Sequence, residues 1–204
     1  MKYHVQNVWP TKILLKDNLL EDEYISSMKN ELIKQSIEKP RGNWQSGPKL
    51  YEQNKFKPLA KEILKLAKTH LQNDYHAVFE SIEITDMWGN ILKEKEFHRP
   101  HNHSNNVISG VYYVQADDNN SSKIFFLDPR PQAGIIQPDV RKITHYNSSI
   151  WHYPSVTNRC ILFPSWLSHY VDSNVTGEDR ISIAFNFMYK GKVGLSELYQ
   201  SAEF

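Results

Sequence analysis

The first third of the chain carries apolar residues at helical spacing. They recur at intervals of three and four between residues 18 and 38, and again over about residues 57–71. This spacing predicts two amphipathic helices that serve packing. Asn18 followed by Glu21 resembles a capping box, so the first helix is expected to begin there and to stop before Pro40.

From about residue 75 the spacing changes to an alternation of apolar and polar residues, which predicts β-strands. Gly89-Asn90 is expected to form a turn, and residues 128–149, which include three prolines, form a loop long enough to act as a lid. The predicted strands lie within residues 5–16 and at about residues 78–88, 109–114, 123–127, 150–152, 159–163, 169–172 and 180–189.

Helices followed by many short strands favour an α+β fold that is mainly β, either an antiparallel barrel or a jelly roll. The 204 residues are most simply one domain. Within it we expect helical N-terminal support in residues 1–74, a β core in residues 75–190 and a C-terminal tail in residues 191–204.

The composition of the chain limits its expected cellular compartment and binding partners. The net charge of +1 argues against nucleic acid or an anionic membrane as the main partner. Cys160 is the single cysteine, which excludes an internal disulfide and a cysteine-rich zinc site and fits a reducing compartment. There is no apolar run near the roughly 18 residues of a membrane span, and the N-terminus lacks a signal-peptide core, so the chain is expected in the cytoplasm.

The candidate chemistry begins in a histidine-rich turn before a buried strand. His98, His101 and His103 fall within six positions, and the strand that follows places Ser109, Val111 and Tyr113 on one face. In extended backbone His101 and His103 point the same way, so both imidazoles can bind one metal ion. The alternative is that these are exposed loop histidines beside a core strand.

Two later segments add to this pattern. His169 enters a strand after an apolar segment that ends at Pro164. In the strand from Arg180 to Asn186, Arg, Ser, Ala and Asn alternate with apolar residues, and a buried charge needs a partner. Arg180 and Ser182 together can bind a carboxylate. The alternative is a structural salt bridge with one of the 23 acidic residues.

In this order the motifs resemble the Fe(II)- and 2-oxoglutarate-dependent oxygenases, and most of all a phage and bacterial branch of that superfamily. The resemblance covers roughly residues 78–189 and implies a double-stranded β-helix (jelly roll), Fe(II) as the metal and 2-oxoglutarate as cosubstrate. It also implies the cytoplasm of the host if the gene belongs to a phage. The motifs are His101-x-His103, Ser109-Gly-Val-Tyr-Tyr-Val114, Phe163-Pro-Ser-Trp-Leu-x-His169 and Arg180-x-Ser182.

The resemblance also assigns roles to residues that match by position. His101 and His169 match metal ligands. Arg180 and Ser182 match the pair that binds the distal carboxylate of 2-oxoglutarate. Tyr113 matches a tyrosine that, in prolyl-hydroxylase-like members, donates its hydroxyl to the same carboxylate.

The chain departs from the family at His103, where members carry Asp or Glu. We therefore expect a site of three imidazoles, from His101, His103 and His169. Three imidazoles suit iron but also zinc, copper or nickel. His98 is the alternative third ligand.

The expected function is an oxygenase, most simply a hydroxylase, that acts on a small molecule or a protein side chain. One alternative is a cupin-like metal enzyme that has three histidines and does not use 2-oxoglutarate. This alternative gives Arg180 and Ser182 no role. Another is a non-catalytic jelly-roll binding module, which leaves the histidines unexplained. The substrate side is expected to include Trp88, Asn90 and Asn186, with Trp44, Lys49 and the loop 128–149 as further candidates.

Overall fold

The computed structural model describes residues 1–117, 122–195 and 199–204. Two helices precede most of the sheet: α1 (Asp22–Glu38) and α2 (Lys57–Asn73). The strands are β1 (Leu14–Lys16), β2 (Trp44–Gln45), β3 (Ser81–Leu92), β4 (His98–His101), β5 (Ile108–Gln115), β6 (Ile124–Leu127), β7 (Ile150–Tyr153), β8 (Cys160–Pro164), β9 (His169–Val171), β10 (Arg180–Lys190), β11 (Lys192–Val193) and β12 (Ala202–Glu203).

The strands form one large sheet, one small sheet and a terminal pair, and the strand pairs are antiparallel. The large sheet has the order β1-β8-β5-β10-β3-β2 and the small sheet the order β4-β9-β6-β7. β11 and β12 pair with each other within the predicted tail. This confirms the predicted α+β fold, a mainly β jelly roll supported by N-terminal helices.

Each face of the large sheet buries a different core. The outer face packs on the helices, where Met28 and Leu32 of α1 meet Tyr112, Ile183 and other apolar residues of the sheet. The inner face packs on the small sheet through the cluster Val111, Tyr113, Ile124, Phe126, Ile161, Phe163 and Leu167. Strand alternation explains this division, because successive side chains point to opposite faces.

Three local predictions were wrong. The first helix begins at Asp22, with Glu21 as a cap residue that makes no side-chain hydrogen bond. Asn18 does not form a capping box. The free backbone amide of Leu20 before the helix instead donates to Oδ1 of Asn158, a residue far away in sequence, at 3.0 Å.

Gly89-Asn90 is not a turn but lies inside β3. A Cβ on Gly89 would lie 2.3 Å from Cδ2 of Leu32, so glycine is present because α1 packs closely on the strand. The histidine-rich turn also begins with a strand that was not predicted, since β4 spans His98–His101 and pairs with β9.

Neither helix of the described residues is long and apolar enough to cross a membrane.

Candidate active site

Three histidines converge where the small sheet meets the turn before β5. His101 and His169 are direct partners in the β4–β9 pair. His103 follows β4, and its backbone N–H donates to the carbonyl of Ser165 at 3.0 Å. One ring nitrogen from each of the three lies within 4.8 Å of the others, as ligands of a single metal ion require.

Backbone carbonyls orient two of these rings. Nδ1 of His101 lies 2.7 Å from the carbonyl of Arg99, and Nδ1 of His169 lies 2.9 Å from the carbonyl of Leu167. A carbonyl only accepts, so Nδ1 carries the proton in both rings and Nε2 keeps a free lone pair.

Burial also keeps two of the three imidazoles, those of His103 and His169, neutral. It lowers the pKa of His169 from 6.5 to about 3 and that of His103 from 6.5 to about 4, with neighbouring histidines adding to both effects. The tilted ring of Trp88, 5.8 Å from the His103 ring, is part of this burial. Neutral imidazoles are the form that binds metal ions.

A buried arginine lies at the other end of the same cavity. Arg180 is 2% exposed, and its Nε donates to Ser155 Oγ at 3.0 Å. Nη1 is 3.4 Å from Ser182 Oγ, and the guanidinium carbon lies 4.9 Å from the centre of the Tyr113 ring. Among the described residues no carboxylate forms an ion pair with Arg180, which excludes the structural salt bridge there.

Two further polar atoms near Arg180 are buried without a partner in the described structure. They are the hydroxyl of Tyr113 and Nε2 of His98. Burial and the nearby Arg180 charge lower the pKa of His98 to about 4, so this ring is also neutral. Buried polar atoms without partners are rare in proteins and mark positions where a ligand can supply the partner.

The inner cavity, which we define as the space of about 720 Å³ between the histidines and Arg180, joins these groups. Ser182 lies beside Arg180, and apolar walls include Val111, Ile124 and Phe163. No described residue that lines it is an Asp or Glu. A cavity with a buried cation and neutral donors is suited to an anion.

The outer cavity, of about 410 Å³, adjoins the histidines on another side. It shares four residues with the inner cavity, namely Gln45, Trp88, His101 and His103. Its further lining residues are Ser46, Pro48, Asp86 and Asn186.

The sequence candidates divide between the cavities. Asn90 lines the inner cavity, Asn186 the outer cavity and Trp88 both. Trp44 instead belongs to the helix-side core, where its Nε1 donates to the carbonyl of Lys39, and Lys49 pairs with Glu52 on the surface. The described residues of the loop 128–149 line neither cavity.

Sequence reasoning missed Ser155 and Asp86. Ser155 lies in an irregular segment after β7 and has no motif around it. Asp86 lies on the inner face of β3, because it pairs with Asn186 in β10, and the alternation of that strand was the signal that could have identified it.

A family of known proteins matches this part of the chain. The sequence profile of the family described as "Putative 2OG-Fe(II) oxygenase" matches residues 86–186, which include the three histidines and Arg180. The chain belongs to the 2-oxoglutarate/Fe(II) oxygenases. No curated protein matches this oxygenase in sequence.

Solved structures share the fold of this oxygenase at low sequence identity. A Pseudomonas putida prolyl-4-hydroxylase has a TM-score of 0.64 at 12% identity, over 89% of this chain and 94% of the other. The 2-oxoglutarate-dependent epimerase SnoN from nogalamycin biosynthesis has a TM-score of 0.65 at 12% identity, over 92% and 84%. HygX from Streptomyces hygroscopicus, solved with nickel and 2-oxoglutarate, has a TM-score of 0.60 at 11% identity, over 87% and 82%.

Fe(II) and 2-oxoglutarate, the cofactors of this family, fit the groups that the oxygenase presents. Three convergent imidazoles suit a divalent first-row metal. A buried arginine and a buried tyrosine hydroxyl, neither with a counter-ion or partner among the described residues, suit one end of a dicarboxylate.

Proposed function

We propose that this oxygenase is a hydroxylase that couples decarboxylation of 2-oxoglutarate to oxidation of a substrate. The overall reaction combines a substrate C–H bond, O2 and 2-oxoglutarate to give C–OH, succinate and CO2. The substrate is a small molecule or a protein side chain. One observation carries the proposal: three convergent imidazoles and a buried arginine that has no counter-ion among the described residues line one cavity.

In this proposal His101, His103 and His169 bind the iron. Nδ1–H bonds to backbone carbonyls hold His101 and His169 with Nε2 available, so these rings need little reorganisation. Bound iron supplies the activation of O2 that organic side chains cannot provide. Because the three ligands are neutral, 2-oxoglutarate supplies the negative charge for both cations, with one carboxylate toward the metal and the other toward Arg180.

Arg180, Ser182 and Tyr113 bind the distal carboxylate of the cosubstrate. The guanidinium and the two hydroxyls supply donors on several sides, and the carboxylate in turn gives Arg180 its missing counter-ion. His98 lines the same cavity, and its buried Nε2 is a further donor toward this anion. The apolar walls, which include Phe163 and Ile124, exclude water around the chain of the cosubstrate.

No carboxylate of the described residues joins the three histidines, which favours a second candidate, a cupin-like metal enzyme that does not use 2-oxoglutarate. It accounts for the histidines but not for Arg180, whose buried charge then has no counter-ion in the part of the chain that the structure describes. We also propose a cytoplasmic location, which a single, buried Cys160 supports.

Turnover of 2-oxoglutarate without added substrate tests the proposed function. With ascorbate present to reduce the second oxygen atom of O2 to water, Fe(II)-loaded protein should release succinate and CO2 in a slow reaction, and His169→Ala should not. A wild-type protein that binds iron but leaves 2-oxoglutarate intact under air would contradict the proposal.

A further inference from the structure

The outer cavity presents a carboxylate and a carboxamide side by side. Asp86 and Asn186 are direct partners in the β3–β10 pair, so their side chains lie next to each other on the inner face of the large sheet. Both residues line the outer cavity, together with His101 and His103 of the proposed metal site.

Neither side chain is fully used by the protein. Asn186 is 4% exposed, and its Oδ1 accepts from Ser109 Oγ at 2.7 Å, whereas its Nδ2 has no acceptor among the described residues. Asp86 is half-buried, and no Lys or Arg of the described residues forms an ion pair with it. The pair therefore offers a free anionic acceptor next to a free donor.

The lining of the outer cavity favours a cationic ligand in this position. Among the described residues that line it, Asp86 is the one carboxylate, and there is no Lys or Arg. Arg180 lies six residues from Asn186 along β10, which is roughly 20 Å in a strand, so it does not neutralise Asp86. The Asp86 carboxylate thus gives the lining of the outer cavity a negative charge that no nearby Lys or Arg of the described residues offsets.

We infer that the outer cavity binds an ammonium or guanidinium group of the substrate between Asp86 and Trp88. This inference rests on the proposed function and adds the class of substrate. Trp88 lines the cavity, and an indole ring attracts a cation placed over its face. Asn186 Nδ2 donates to a carbonyl or hydroxyl oxygen of the same molecule, and the adjoining C–H bond then faces the metal ligands His101 and His103.

The test compares charged molecules with neutral analogues of the same shape. The probes are N-acetyl-lysine methylamide against N-acetyl-6-hydroxynorleucine methylamide, and N-acetyl-arginine methylamide against N-acetyl-citrulline methylamide. Each is titrated without oxygen into protein loaded with Fe(II) and 2-oxoglutarate, and binding is followed by the change in the visible charge-transfer band. We expect the cationic member of at least one pair to bind roughly tenfold more tightly.

Two variants on the same strand separate this site from general charge effects. Asp86→Asn should abolish the preference for the cation and leave the band that 2-oxoglutarate induces unchanged, which shows that the variant is folded. Glu83→Gln removes a carboxylate that is exposed and paired with Lys190, and it should keep the preference. Equal or absent responses to cations and neutral analogues, or a preference that survives Asp86→Asn, would overturn the inference. A wild-type protein without the band would instead overturn the proposed function.

Discussion

At the scale of single residues, the site consists of polar groups that the protein leaves without partners. Arg180 has no carboxylate among the described residues, and the Tyr113 hydroxyl and His98 Nε2 are buried and unpartnered. Each such group costs folding free energy unless a ligand binds it. Their proximity to one another is therefore better explained by ligand binding than by stability of the fold.

Alanine at His101, His103 or His169 should weaken metal binding by more than roughly tenfold, since even the loss of an outer-shell partner costs 10–100-fold. Titration of the metal-free protein with Fe(II) or Co(II) measures the effect. His98→Ala is the matched control and should retain the metal, because His98 does not belong to the group of three within 4.8 Å. Loss of the metal in His98→Ala, with His103→Ala unaffected, would show that His98 is the third ligand.

Arg180→Leu should weaken 2-oxoglutarate binding and leave metal binding unchanged. Removing one partner of a buried charged pair costs about 2–5 kcal/mol, which is roughly 30-fold or more in Kd. The variant should lose little stability without ligand, because among the described residues the wild-type guanidinium has no counter-ion and its hydrogen bonds are to two serine hydroxyls. Unchanged 2-oxoglutarate affinity by calorimetry, or a large loss of stability without ligand, would assign Arg180 a structural role.

At the scale of elements, strand pairing brings together residues far apart in sequence. β4 pairs with β9, which places His101 beside His169, and β10 lies between β3 and β5, which places Ser182 between Asn90 and Tyr113. The alternation of side chains within β5 and β10 could be predicted from the sequence. One face of each strand packs toward the helices and the other toward the small sheet, so the two faces carry different kinds of residue.

Other features could not be predicted from the sequence, because contacts between residues far apart in the chain determine them. Gly89-Asn90 is a residue pair typical of turns, but it lies inside a strand. The glycine is explained by Leu32 of α1, which packs where a Cβ would lie. Asn18 and Glu21 have the pattern of a capping box, but Asn158 satisfies the Leu20 amide from across the molecule. Asp86 became a candidate only when the register of β3 and β10 placed it beside Asn186.

Gly110→Ala should destabilise the sheet. A Cβ at this position would lie 2.4 Å from Cε2 of Phe185, a ring that is fully buried and cannot move away easily. Overpacking of this kind costs about 1–3 kcal/mol. Gly177→Ala is the control, since a Cβ there meets no atom within 4 Å. Urea denaturation measures both, and equal stabilities would show that β5 and β10 are less tightly packed than described.

At the scale of the whole molecule, the two faces of the large sheet have different tasks. The outer face buries the larger core against the helices, so the inner face can hold cavities and charged groups without loss of the fold. A surface ion pair also joins the segment after β1 to the segment before β8, where Arg159 donates to both carboxylate oxygens of Asp17.

The stability contributed by this ion pair should depend on pH. The hydrogen bonds from Arg159 hold the pKa of Asp17 below its ordinary value of 3.8. A carboxyl with a lowered pKa stabilises the folded state above that ordinary value, and the contribution is lost as the pH falls through the folded pKa. Asp17→Asn should therefore lower the unfolding free energy at pH 7 by less than about 1 kcal/mol, as expected for an exposed pair. An equal loss at pH 2 would show that the charge is not the cause.

The central claim is that a metal held by three histidines and a dicarboxylate held by Arg180 share the inner cavity. Addition of 2-oxoglutarate to the Fe(II)-loaded protein without oxygen tests it most directly, since chelation of the metal by the 2-oxo acid produces a visible charge-transfer band. We predict a band that saturates at one 2-oxoglutarate per iron and that needs a much higher concentration in Arg180→Leu. Stoichiometric Fe(II) binding without any band on addition of 2-oxoglutarate would contradict the account and favour the cupin-like metal enzyme.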